Sequence, residues 1–194
     1  ATKTSDFPPL FSKVRDSGAQ FLTVILSHAS SDVFAKQWHD SRFPMPYGGV
    51  DVKSMDGDFC SRIDGKAISE IAGNFAVSAP ITPKTVPFFD AFTKRTQRQP
   101  VYTAYFAHDA VKLYAEAVAK AGSTETDKVI KALEQTSYEG LAGLIEFDET
   151  HDVKAGGKHP NLLFAQWRDG CKREVVFPKQ LRTADPILPP WLKK

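Results

Sequence analysis

A layered α/β fold is what this chain predicts, and three stretches decide it. Phe7, Leu10, Phe11 and Val14 recur at helical spacing up to Gly18. The continuous apolar run Phe21-Leu22-Thr23-Val24-Ile25-Leu26 follows, and Val33, Phe34 and Trp38 then resume a helical period. Helix, strand and helix joined by short connections imply α/β layering. From Leu144 the period changes to two, which adds strands near the end of the chain.

Taken in order, Asp6 is placed to cap the first helix and Pro8 suits its first turn. The run at 21–26 is rich in β-branched residues, as expected of a strand covered on both faces. After the polar break Ser27-His28-Ala29-Ser30-Ser31 comes the second helix, then a short strand over 47–52. A short helix over 64–71 ending at Gly73 and a strand over 75–79 are expected next, and Pro83 opens a helix that buries Val86, Phe89 and Phe92. Tyr105 to Ala121 reads as a long helix stopped by Gly122, and Thr124 with Asp127 resembles a capping pair for a helix reaching Gln135. Leu162–Trp167 and Arg173–Phe177 read as a hairpin turning at Asp169-Gly170. Pro186, Pro189 and Pro190 keep the tail out of helices and central strands.

The apolar fraction of 42% and charged fraction of 25% are those of a globular protein. A net charge of +2 is too small for a nucleic-acid footprint. No run is apolar enough to span a membrane, and the polar Ala1–Asp6 is not a signal peptide. Cys60 and Cys171 are the only cysteines; they fit either one disulfide in an oxidising compartment or two free thiols.

The order of motifs resembles the branched-chain amino-acid (Leu/Ile/Val) binding proteins of ABC transporters, within the type I periplasmic-binding-protein superfamily. Asp6-Phe7 with an amphipathic helix, Gly18-Ala19 and a hydrophobic strand is similar to the entry of that family's second lobe. Phe34-Ala35-Lys36-Gln37, Phe88-Phe89-Asp90-Ala91-Phe92, Pro100-Val101-Tyr102-Thr103-Ala104-Tyr105, His108-Asp109-Ala110-Val111, the stretch Tyr138 to Asp148 and Gln166-Trp167-Arg168-Asp169-Gly170 continue it in order. The resemblance implies two Rossmann-like lobes of which this chain is an incomplete part. Residues 1–99 would form most of lobe two and 100–140 a return segment of lobe one. Residues 141–194 would supply a crossover, the C-terminal hairpin of lobe two and the proline-rich tail. It further implies a periplasmic component that captures an amino acid, or an aromatic or other small carboxylate, without a cofactor, and delivers it to an ABC permease. A ligand-sensing receptor or regulator of the same fold is the alternative. A sheet lacking its central strands leaves an open edge and a bare apolar face. The chain is therefore expected to need a partner, either the missing N-terminal half or a second copy of itself.

In open α/β sheets ligands bind at the carboxyl ends of strands. Ser27, His28 and Ser30, in the loop after the first strand, are thus candidate ligand contacts, although Ser30 or Ser31 would equally cap the following helix. The resemblance implies an acid near here for a ligand ammonium, for which Asp51 is the nearest candidate, or else Asp51 is a solvated loop carboxylate. Tyr102 and Tyr105 would close over a ligand or pack in a hinge. Ser27-His28 stands where aliphatic amino-acid binders carry an aromatic residue. No catalytic constellation is present: there is no Gly-x-Ser-x-Gly elbow, no His-Glu-x-x-His pair and no phosphate loop around Gly65-Lys66. Asp56-Gly57-Asp58 lacks the remaining ligands of a calcium loop, and His151 with His159 lacks those of a zinc site.

Overall fold

The computed structural model describes residues 5–27, 30–73 and 76–192. The chain divides into two compact units, Ala1–Val77 with Leu163–Lys194, and Ser78–Leu162.

In the first unit, α1 (Pro8–Asp16), β1 (Leu22–Leu26), α2 (Ser30–Asp40) and β2 (Tyr47–Asp51) follow one another. A single 3-10 turn at Lys53–Met55, the short α3 (Phe59–Arg62) and β3 (Ile71–Gly73) come next. The mixed sheet is completed, after an excursion into the second unit, by β6 (Phe164–Arg168) and β7 (Lys172–Phe177), in the order β1-β2-β3-β6-β7. The first three strands are parallel; β6 joins β3 antiparallel and β7 returns as the expected hairpin. Strands β2 and β3 approach so closely that a Cβ on Gly48 would lie 1.9 Å from the Ile71 carbonyl oxygen, so only glycine fits there.

Alternation along the strands sorts the side chains into two faces. Val24, Tyr47 and Trp167 face Phe11 of α1, Phe34 and Trp38 of α2, and Phe59, Cys60 and Ile63 in and beside α3, in one buried cluster. Edge-to-face ring pairs run through it, including Phe34–Tyr47 and Trp38–Tyr47 with centroids 5.0 and 4.6 Å apart. Cys60 and Cys171 are bonded, which joins α3 to the β6–β7 turn. The Trp191 indole donates to the Phe43 carbonyl at 2.8 Å and leans on Trp38, so the proline-rich tail docks on the same core.

Several sequence expectations are corrected. Strand β1 is covered on one face only: Val24 is buried, whereas Ile25 is 83% exposed. Asp6 does not cap α1. Phe7 occupies the N-cap position without a side-chain cap, fixed by its buried ring and by its amide, which donates to Gln37 Oε1 at 2.8 Å. Leu10, expected on the buried stripe, is exposed. No helix spans 64–71. That stretch is a series of turns ended by Ser69 in the left-handed region, φ 80°. The third strand lies at 71–73, where Ile71 and Ala72 pair with β2 on one side and β6 on the other; of the expected strand over 75–79, residues 76–79 form none and Phe75 lies outside the described residues.

The second unit contains α4 (Thr85–Thr96), α5 (Tyr102–Ala121), α6 (Thr126–Glu134) and a small ladder of β4 (Tyr138–Glu139) with β5 (Leu144–Ile145). Helix α5 starts three residues earlier than its periodicity predicts and ends, as expected, on Gly122 in the left-handed conformation. Glu125, with no side-chain cap, replaces the expected Thr124–Asp127 pair at the start of α6; its amide donates to Ser123 Oγ at 3.1 Å. The break expected between residues 99 and 100 falls inside this unit, between α4 and α5. Among the described residues no helix is long and apolar enough to cross a membrane.

Candidate functional site

The parallel strands β1 and β2 bring two loops together at their carboxyl ends. The loop after β1 contains Ser27, which is exposed, and leads into Ser30, the first residue of α2. His28 lies outside the described residues. The loop after β2 begins at Asp51 and forms the 3-10 turn.

Asp51 joins these loops. Its Oδ1 accepts from the Ser31 hydroxyl at 2.8 Å and from the amides of Lys53 and Ser54 at 3.0 and 3.3 Å. The residue is 1% exposed, so it is not a solvated loop carboxylate. Burial pushes its carboxyl above the usual range, and the bonds from Ser31, Ser54 and Lys53 offset only part of that. Ser54 in turn accepts a bond from the Trp167 indole at 3.0 Å, which links the β2 loop to β6. Near Asp51, Glu70 is fully buried, and neither of its oxygens has a hydrogen-bond partner among the described residues. Burial, and then the nearby Asp51, hold its carboxyl well above the ordinary range. Outside this core, Arg62 binds Asp32 through two nitrogens at 3.0 and 3.1 Å and reaches Asp58 at 2.9 Å, tying α3 to the first turn of α2.

Tyr102 belongs to the second unit, where it is half-buried in the first turn of α5. Tyr105, one turn on, is sealed. Its hydroxyl donates to the Leu141 carbonyl at 2.5 Å, so it packs and does not face a ligand. The same carbonyl accepts from Thr85 Oγ1 at 2.7 Å, and the Leu141 amide donates to Asp109 Oδ2 at 2.6 Å. A Cβ on Gly140 would fall 2.4 Å from that carboxylate oxygen. The Tyr138–Gly143 motif is thus a clamp around buried Asp109. Nothing local in His108-Asp109 or Gly140 announces this contact, which forms only when the two segments meet. His151 pairs with Glu134 at 3.0 Å, and His159 Nδ1 lies 2.9 Å from the Leu144 carbonyl oxygen.

A family model described as periplasmic binding protein matches residues 1–172, and the chain belongs to that family, whose members bind solutes and are not enzymes. Its relatives include branched-chain amino-acid binding proteins of ABC transporters. The leucine-, isoleucine-, valine-, threonine- and alanine-binding protein of Pseudomonas aeruginosa is 28% identical over 175 residues, which cover 88% of this chain and 44% of that protein. The solved protein of the same description from Brucella ovis superposes with a TM-score of 0.74 at 15% identity, over 97% of this chain and 50% of that one. An ABC transporter solute-binding protein from R. palustris in complex with benzoate gives a TM-score of 0.69 at 14% identity, over 99% and 51%. The chain therefore spans about half the length of the proteins it matches, and the two solved structures speak for the fold alone.

Proposed function

We propose that this chain is part of the periplasmic substrate-binding component of an ABC transporter, which captures an amino acid or another small carboxylate and passes it to a membrane permease. The observation that carries the reading is the pair of loops at the carboxyl ends of parallel β1 and β2, in a chain of the solute-binding family. Ser27, His28 and Ser30 on the first loop are the ligand contacts of this unit. A ligand that binds a closed form better than an open one shifts the population toward closed. The permease reads that closed form.

The chain acts with a partner that continues its sheet beyond β1, either a missing N-terminal half or a second copy. Support comes from the position of β1 at the sheet edge, where Ile25 is 83% exposed beside Val50 at 45%. Calorimetric titration with leucine, isoleucine and benzoate, on the 194-residue chain alone and with its partner, tests both statements. Binding of one of these by the assembled protein, and weak or no binding by the chain alone, is expected. Submicromolar binding by the chain alone would overturn the need for a partner, and failure of the assembly to bind any small carboxylate would overturn the transport reading.

A further inference from the structure

Asp51 stands where an acid facing a ligand ammonium is expected, and its surroundings give it a different task. Three donors converge on a single oxygen, from the first turn of α2 and from the two residues that open the 3-10 turn. Alternation along β2 sets its side chain on the covered face of the sheet with Tyr47, away from exposed Val50. Its second oxygen is buried as well, without a hydrogen-bond partner among the described residues. An acid that receives an ammonium needs lone pairs on the open side of its loop, and Asp51 has none there.

We infer that Asp51 is a positioning residue: it ties the loop after β1 to the loop after β2 and does not itself contact the ligand's amino group. The inference rests on the reading of these loops as ligand-binding. Specificity for or against an α-amino group is then set by other residues, and Asp51 governs the geometry in which Ser27 and Ser30 meet the ligand. The conservative Asp51→Asn retains a carbonyl acceptor for the Ser31 and backbone bonds, whereas Asp51→Ala removes all three.

Two measurements test this. Hydrogen exchange of the Lys53 and Ser54 amides is expected to speed up about tenfold or more in D51A, as the loss of a charged acceptor dictates, and to return toward the wild-type rate in D51N. Titration of the assembled protein with isoleucine and with 3-methylpentanoate, its analogue without the amino group, is expected to give the same ratio of Kd values in wild type and D51N within about twofold. Unchanged exchange in D51A would overturn the tie. A selective loss of isoleucine affinity in D51N of about tenfold or more would show direct contact with the ammonium and overturn the assignment. If neither compound nor benzoate binds the wild type, the transport reading fails, while the exchange rates still decide the role of Asp51. If D51A does not fold, D51N alone decides through the titration ratio.

Discussion

Tyr47 and Val50 lie three residues apart on β2, yet Tyr47 is sealed and Val50 is 45% exposed. They sit on opposite faces of one sheet, and the two faces are built differently. The covered face carries the aromatic cluster of α1, α2 and α3, the Cys60–Cys171 bond and the Asp51 and Ser54 bonds. The other face is finished only near β6. There the Gln166 amide is held between the Ser69 and Ile187 carbonyls at 2.8 Å each, and the Ile187 amide returns a bond to its oxygen. Over β1 and β2 that face presents Phe21, Ile25 and Val50 to solvent. The stability of this unit therefore resides on one side of the sheet, and the opposite side is free to act in association.

The covered face should show the largest mutational effects. Replacing both cysteines with alanine is expected to lower stability by up to about 5 kcal/mol, because the bond closes a loop of 111 residues in the unfolded chain. Trp38→Ala should cost about 3–5 kcal/mol, since its fully buried ring packs on Tyr47 and Trp191 and its indole donates to the Met45 carbonyl. Denaturant midpoints measure both. A loss under about 1 kcal/mol in either would mean that the two faces share the load.

Glu70 tests the polar floor of the covered face. Tyr47 and Asp51 are the ionisable groups that face it, and the Tyr47 and Ser54 hydroxyls approach without reaching hydrogen-bond geometry. The folded chain keeps the Glu70 proton at a pH where the unfolded chain releases it. Native protein thus binds more protons, and stability falls as pH rises from the ordinary carboxyl range toward the raised folded value. The fall is up to about 1.4 kcal/mol per pH unit. Glu70→Gln should flatten that slope in melting temperature against pH, leaving the part of the same sign that belongs to Asp51. An unaltered slope would show that Glu70 is ionised in the fold.

Helical spacing and the strand–helix order were enough to read α1, α2, α4, α5 and the β6–β7 hairpin, because each carries its period in its own residues. Two things were hidden. The one-sided cover of β1 was not legible: Phe21 to Leu26 is equally apolar on both faces, and only a partner decides which is buried. The placement of β3 was also missed, because Ile71-Ala72-Gly73 is too short to display a period and owes its strand conformation to neighbours on both sides. At the site, Ser27 and Ser30 follow from strand order alone. The inward role of Asp51 depends on Ser31 in the first turn of α2 and Ser54 in the 3-10 turn, and no local pattern announces it.

The smallest stability effect is expected on the bare face, and it discriminates most sharply between the two sides. At 83% exposure, Ile25 has little left to lose, so Ile25→Lys should change the denaturant midpoint of the isolated chain by no more than about 0.5 kcal/mol. The same charge stands next to the unpaired edge of β1, where lysine opposes the addition of another strand. Mass-resolved sizing of the I25K protein should therefore show loss of the partner or of self-association, with the fold intact. A large loss of stability in the isolated chain would mean that Ile25 is covered there. Unimpaired association would place the partner on another surface, and the open edge of β1 would then need a different explanation.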